Sequence, residues 1–154
     1  MPYSTLDDIK KLLPEETIIQ LTDDENLKPL SIDPENAEHA AIIGRIDEAI
    51  ETADSEIDGY CAKKYKYAVP FTAVPRLITG LSVEIAIYYL YARRTVPERI
   101  EKRYEKAVAR LKDISRGLLT LTLDPPPAPS SAGGAESNKP VNDRIFTRET
   151  LRGF

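Results

Sequence analysis

The sequence contains no tryptophan, one cysteine (Cys61), one histidine (His39) and three phenylalanines in 154 residues. A single cysteine excludes an intramolecular disulfide and any zinc site built from several thiolates. A single histidine leaves little for metal ligation or acid–base work. The seven glycines include one adjacent pair, Gly133-Gly134, so no glycine-rich phosphate loop is present. No stretch approaches the roughly 18 apolar residues that cross a bilayer. The opening MPYSTLDDIKKLL lacks a basic region followed by an apolar one, and no secretory leader is expected. These shortages argue against a hydrolase, a metalloenzyme or a membrane protein. What is present is a soluble globular composition of one-domain size, 42% hydrophobic and 30% charged.

The formal charge of −4 conceals a polarity. Residues 1–60 carry 16 acidic and 4 basic side chains, net −12, and residues 61–154 carry 9 acidic and 17 basic, net +8. Such asymmetry points to charged partners. The two halves can fold against each other, or the acidic face of one copy can meet the basic face of the next in a ring.

Hydrophobic periodicity predicts an all-α fold: a small helical bundle with a long central helix. Leu6, Ile9 and Leu13 recur at helical spacing, with Ser4 as the expected N-cap. Pro14 ends that segment and opens a short apolar turn through Ile18, Ile19 and Leu21. Asp33-Pro34-Glu35 reads as a helix start, and the long helix is expected over 34–64, with Ile46, Ala49, Ile50, Ala53, Ile57, Tyr60 and Cys61 as its apolar stripe. Gly59 within it suggests close packing by another backbone. Pro70 and Pro75 make 65–75 an extended connection.

A helix over 76–93 is apolar on nearly every side, so it is central in a bundle or covered by a second chain. Tyr88, Tyr89 and Tyr91 span a wide arc of it, and at least one is expected at a subunit interface or a loop. A final helix over 97–116 has an apolar stripe through Ile100, Tyr104, Ala107, Val108, Leu111 and Ile114, and a markedly basic remainder. Gly117 closes it.

Leu119, Leu121 and Leu123 alternate with threonines, the period of a short C-terminal strand. A lone strand leaves its edges unmet, which suggests a partner in a neighbouring subunit. The helical body therefore runs over 1–123. Residues 124–140, with five prolines, form a Pro/Gly/Ser-rich linker whose reach is roughly 20–25 Å if flexible. Residues 141–154 form an extended tail that reads as a docking peptide. Ile145, Phe146, Leu151 and Phe154 are its apolar anchors, and Arg144, Arg148 and Arg152 suit acidic groups on a partner.

No residue assembles into a catalytic or metal constellation. His39 has no nucleophile or orienting group in reach of a sequence argument, and a surface helix position is expected for it. Cys61 falls on the apolar stripe as a small core hydrophobe. Residues 23–33 open like a calcium loop but lack its central glycine and terminal glutamate. Lys63-Lys64-Tyr65-Lys66-Tyr67 has the composition of a nucleic-acid contact, yet cations at a helix C-terminus explain it as well.

Glu56-Ile57-Asp58-Gly59-Tyr60, Val69-Pro70-Phe71, Val74-Pro75-Arg76-Leu77, Glu84-Ile85-Ala86 and Tyr89-Leu90-Tyr91 stand in an order that resembles a family of small proteins encoded in Mu-like phages and prophages. Met1-Pro2-Tyr3-Ser4-Thr5, Leu21-Thr22-Asp23 and the ending Phe146-Thr147-Arg148 with Gly153-Phe154 resemble it too. One departure is the loop 23–33, where the family often has Gly and Asp and this chain has Lys28 and Pro29.

The resemblance extends to head–tail connector (adaptor) proteins of tailed phages. It implies a structural virion protein, not an enzyme, with no cofactor, assembled in the host cytoplasm and placed in the phage neck. It also implies a homo-oligomeric ring of about twelve copies, closed by repeated heterologous contacts. The portal protein and a tail or tail-terminator protein would be partners, with DNA only as cargo through the channel and no membrane contact. The alternative is a DNA-binding or packaging accessory protein that uses the basic C-terminal half.

Overall fold

The computed structural model describes residues 1–66 and 68–122. Among these, five α-helices and a 3-10 turn follow one another: α1 Leu6–Lys10, α2 Glu15–Thr22, the 3-10 turn Ala37–His39, α3 Ala40–Tyr65, α4 Arg76–Leu90 and α5 Glu98–Arg116. Helices α3, α4 and α5 pack on one another as a three-helix core; α1 packs on α4, and α2 packs on α3 and α4. The all-α expectation holds for this part of the chain.

Prolines start three of the helices in the same way. Pro14, Pro75 and Pro97 stand at the N-cap positions of α2, α4 and α5 with extended ψ angles of 138°, 142° and 139°. Each proline carbonyl accepts from amides three and four residues on, as Pro75 does from Ile78 and Thr79. No side-chain cap is needed, because the fixed proline φ already points the chain into the helix.

The two expected caps near the N-terminus are corrected. Thr5, not Ser4, caps α1, in a reciprocal capping box with Asp8. Ser4 turns inward and is buried. The long helix begins at Ala40, not at Pro34. Asp33 Oδ1 accepts from the Glu35 amide and Asn36 Oδ1 from the Glu38 amide, both at 3.0 Å. These side chains offer the backbone turn bonds that compete with helix, so regular α geometry waits until both are passed.

Helix α4 is wrapped on most sides by its own chain. It touches α1, α2, α3 and α5. Leu81 and Val83, which point in different directions from the helix, are both buried, as are Ile78, Ile85 and Ala86. The all-round hydrophobicity is explained within one copy. Gly59 is the converse case: it is exposed, and a Cβ there would meet nothing within 4 Å. No backbone approaches it, contrary to the sequence expectation.

Helix α5 stops at Gly117, whose φ of +81° is the left-handed conformation that glycine adopts without strain. The Leu118 amide then reaches back to the Asp113 carbonyl at 2.9 Å. No strand occurs among the described residues. Leu119 to Thr122 lie outside any regular element. Leu121 is buried on its own body, and its amide donates to Tyr65 Oη at 2.8 Å. Leu123, the linker 124–140 and the docking peptide 141–154 lie outside the described residues.

Candidate interaction surfaces

Polar side chains inside the body serve the fold. The first is a clasp around Tyr3, which is 4% exposed. Its amide donates to Asp54 Oδ2 at 2.8 Å, and its hydroxyl donates to Asp58 Oδ1 while accepting from the Phe71 amide at 2.9 Å. Ser82 Oγ donates to Asp54 Oδ1 at 2.7 Å, which uses its only proton. Ser4 Oγ, 2.8 Å from Ser82 Oγ, must then be the donor of that pair. The clasp ties the N-terminal segment to α3, α4 and the connection between them. Burial, reinforced by the bond to Asp58, pushes the Tyr3 phenol far above its ordinary value. Burial also raises Asp54, with Asp58 adding to it and the bonds from Tyr3 and Ser82 opposing it.

The second is a tyrosine cluster where α3, α4 and α5 meet. Tyr89 Oη and Tyr104 Oη donate to the two oxygens of Glu56 at 3.0 and 3.1 Å. Tyr88 stacks on Tyr104 with ring centroids 4.0 Å apart and planes 12° from parallel. Burial first, and then the Glu56 charge, raises the Tyr104 phenol; Tyr89 rises by burial and its bond to Glu56. Phenols held neutral in this way are struts. Among the described residues no buried side-chain nitrogen or oxygen lacks a hydrogen-bond partner.

The expected site residues separate on inspection. Tyr88 and Tyr89, expected at a subunit interface or loop, make their ring contacts within the chain, and Tyr91 is partly buried against the same core. Leu119 is partly buried on the core and Leu121 fully so. Leu123 and the tail residues Arg144, Ile145, Phe146, Arg148, Leu151, Arg152 and Phe154 lie outside the described residues.

His39 is 8% exposed rather than on the surface: its Nδ1 accepts from the Asp33 amide at 3.0 Å, which fixes the turn before α3. Cys61 is fully buried, and burial pushes its thiol up to about 11, away from nucleophilic chemistry. In the loop after α2, Asp23 accepts from the Leu27 and Lys28 amides, and Asp24 pairs with Arg45 and Arg93. Lys64 donates to Thr120 and Tyr65 packs on Phe71, so this part of the lysine–tyrosine segment serves the fold.

Two charged edges remain on the outside. Along α3, Asp47, Glu51, Asp54 and Asp58 follow one another at spacings of four, three and four, which places them on one edge of the helix. They line a groove shared with residues 1–6, and no lysine or arginine side chain lines it. On α5, Arg99, Arg103, Lys106 and Arg110 form a basic edge. Arg103 meets Glu84 at 3.3 Å, while Arg99, Lys106 and Arg110 have no ion pair or hydrogen bond among the described residues. Sequence reasoning saw both charge excesses but missed this alignment, which a helical projection of the acidic residues would have shown.

None of the helices among the described residues is long and apolar enough to cross a membrane. The fold and these surfaces define a small helical protein whose interior polar groups are structural and whose unmatched groups are charges on its exterior. The sequence profile of the family described as bacteriophage Mu, Gp36, matches residues 3–139, and the chain belongs to that family. The match ends before the Phe146-Thr147-Arg148 element. No curated protein matches the chain.

Proposed function

We propose that this phage protein is a head–tail connector (adaptor) subunit that forms an oligomeric ring in the virion neck, between the portal protein and a tail or tail-terminator protein. It has no catalytic step and no cofactor in this reading, and DNA passes through the channel only as cargo. The supporting observation is the contrast between a polar interior in which, among the described residues, every buried side-chain group is met and two exterior edges of opposite charge on which Asp47, Glu51, Arg99, Lys106 and Arg110 have no partner. Membership of a phage Mu family supplies the biological setting. An amber mutation in the gene, followed by electron microscopy of the lysate, tests the reading. Filled heads and separate tails are expected, and joined infectious particles would overturn it.

A second reading rests on Arg99, Lys106 and Arg110. An exposed row of cations on one helix edge suits phosphate contact in a DNA-binding or packaging accessory protein. Binding of duplex DNA by the monomer, falling steeply with salt, would favour it.

A further inference from the structure

We propose that the acidic edge of α3 docks on the basic edge of α5 in a second copy of this chain. The inference rests on the ring reading above and supplies the contact that would build the ring. Asp47, Glu51, Asp54 and Asp58 extend over eleven residue steps, and so do Arg99, Arg103, Lys106 and Arg110, with the same spacing of four, three and four. At 1.5 Å of rise per residue both rows are about 16 Å long. The exposed members, Asp47 and Glu51, can therefore face Arg99, Lys106 or Arg110 of a second copy across the two helix edges.

Within the chain Asp54 and Asp58 are bonded in the Tyr3 clasp and Arg103 pairs with Glu84, while Asp47, Glu51, Arg99, Lys106 and Arg110 have no partner among the described residues. No lysine or arginine side chain lines the α3 groove, where the α-amino group of Met1 is the cation that acts on Asp54. Three of the four α5 cations have no partner among the described residues. Like charges at these spacings repel one another on an isolated helix, and an opposing row reverses the sign of that interaction. The inner carboxylates are already positioned, Asp54 by Ser82 and Asp58 by Tyr3, while Asp47 and Glu51 stand exposed. On α5 the glutamates Glu98, Glu101 and Glu105 fall on the edge away from the basic row; the acids beside it are Glu84, which pairs with Arg103, and Asp113, three residues after Arg110.

The two rows lie on different helices, so one contact leaves each end of the pair with a free row of opposite sign. That is a heterologous, repeating contact, the kind that closes a ring. DNA on the basic edge would leave the acidic groove unmatched.

The test uses the full chain in sedimentation velocity at low salt, with circular dichroism to confirm folding. The variants are Asp47→Arg with Glu51→Arg, and Arg99→Glu with Arg110→Glu. Each pair alone is expected to weaken self-association about tenfold or more, since like charges then face each other. An equimolar mixture of the two folded variants should assemble again, because each then offers the row the other lacks. Raising the salt should weaken the wild-type assembly.

Self-association unchanged in both variants overturns this contact and leaves the ring reading standing. A mixture that fails to assemble also overturns it. A wild-type chain that never self-associates overturns the contact and the ring together. Loss of duplex binding in the α5 variant, with self-association intact, overturns the contact in favour of the DNA reading.

Discussion

The hydroxyl of Tyr3 is held from both sides, by the Phe71 amide and the Asp58 carboxylate. Tyr3→Phe keeps the ring but strands the Phe71 amide, which bonds in a buried setting. A loss of about 1–3 kcal/mol is expected, read as a lower urea midpoint at unchanged slope. Cys61 gives a second expectation. Its thiol is fully buried with its pKa at about 11, so a thiol reagent at mildly alkaline pH should label it only after denaturant is added. Labelling of the native chain at the rate of a free thiol would contradict the placement. Cys61 was legible because it sits in phase with Ile50, Ala53 and Ile57 on one stripe. Tyr3 was not: it precedes the first helix, belongs to no period, and finds its partners more than fifty residues away.

Helices were legible where an apolar period and a proline start coincided, as at Pro75 and Pro97. The start of α3 was misplaced because Asp33 and Asn36 bond the local backbone, a competition that a cap-like Asp-Pro-Glu string conceals. Two glycines test the element scale in opposite directions. Gly59→Ala, exposed inside α3 with open space around it, should raise stability by about 0.5–1 kcal/mol by removing backbone freedom from the unfolded chain. Gly117→Ala should lower it by about 1–2 kcal/mol, because its φ of +81° strains any residue with a Cβ. The nearest atoms to a Cβ at Gly117 belong to the flexible Lys64 side chain at 3.7 Å or more, so the cost is one of backbone conformation. Thermal unfolding of both variants beside the wild type checks the signs.

At the scale of the whole molecule the polarity of charge was legible as a total, −12 against +8, but not as a surface. The sum counts Asp24, which pairs with Arg45 and Arg93, equally with Glu51, which faces an open groove. Only the fold tells internal pairing from an outward row. The aromatic arc on α4 is partly taken up within the chain, where Tyr89 bonds Glu56 and Tyr88 stacks on Tyr104, a pairing across helices that no period in the sequence announces. Among the described residues the core runs from Tyr3 to Leu121. If residues 141–154 are a docking peptide, deleting them should leave the helical circular dichroism and the melting temperature within error, while incorporation into phage particles is lost. Normal incorporation of the shortened chain would refute a docking role for that segment.

The Tyr3 clasp also sets an order of events at the ribosome. The partners of Tyr3 and Ser4 lie 51 to 78 residues downstream in the chain. At about 5–20 residues per second, Ser82 is joined roughly 4–16 s after Ser4, and it must still clear the exit tunnel. Throughout that interval the segment of Tyr3 and Ser4 lacks the groups that hold it, and it is open to premature pairing with other nascent chains. Closure of the clasp is thus a late step of synthesis, and it reports that α4 has emerged.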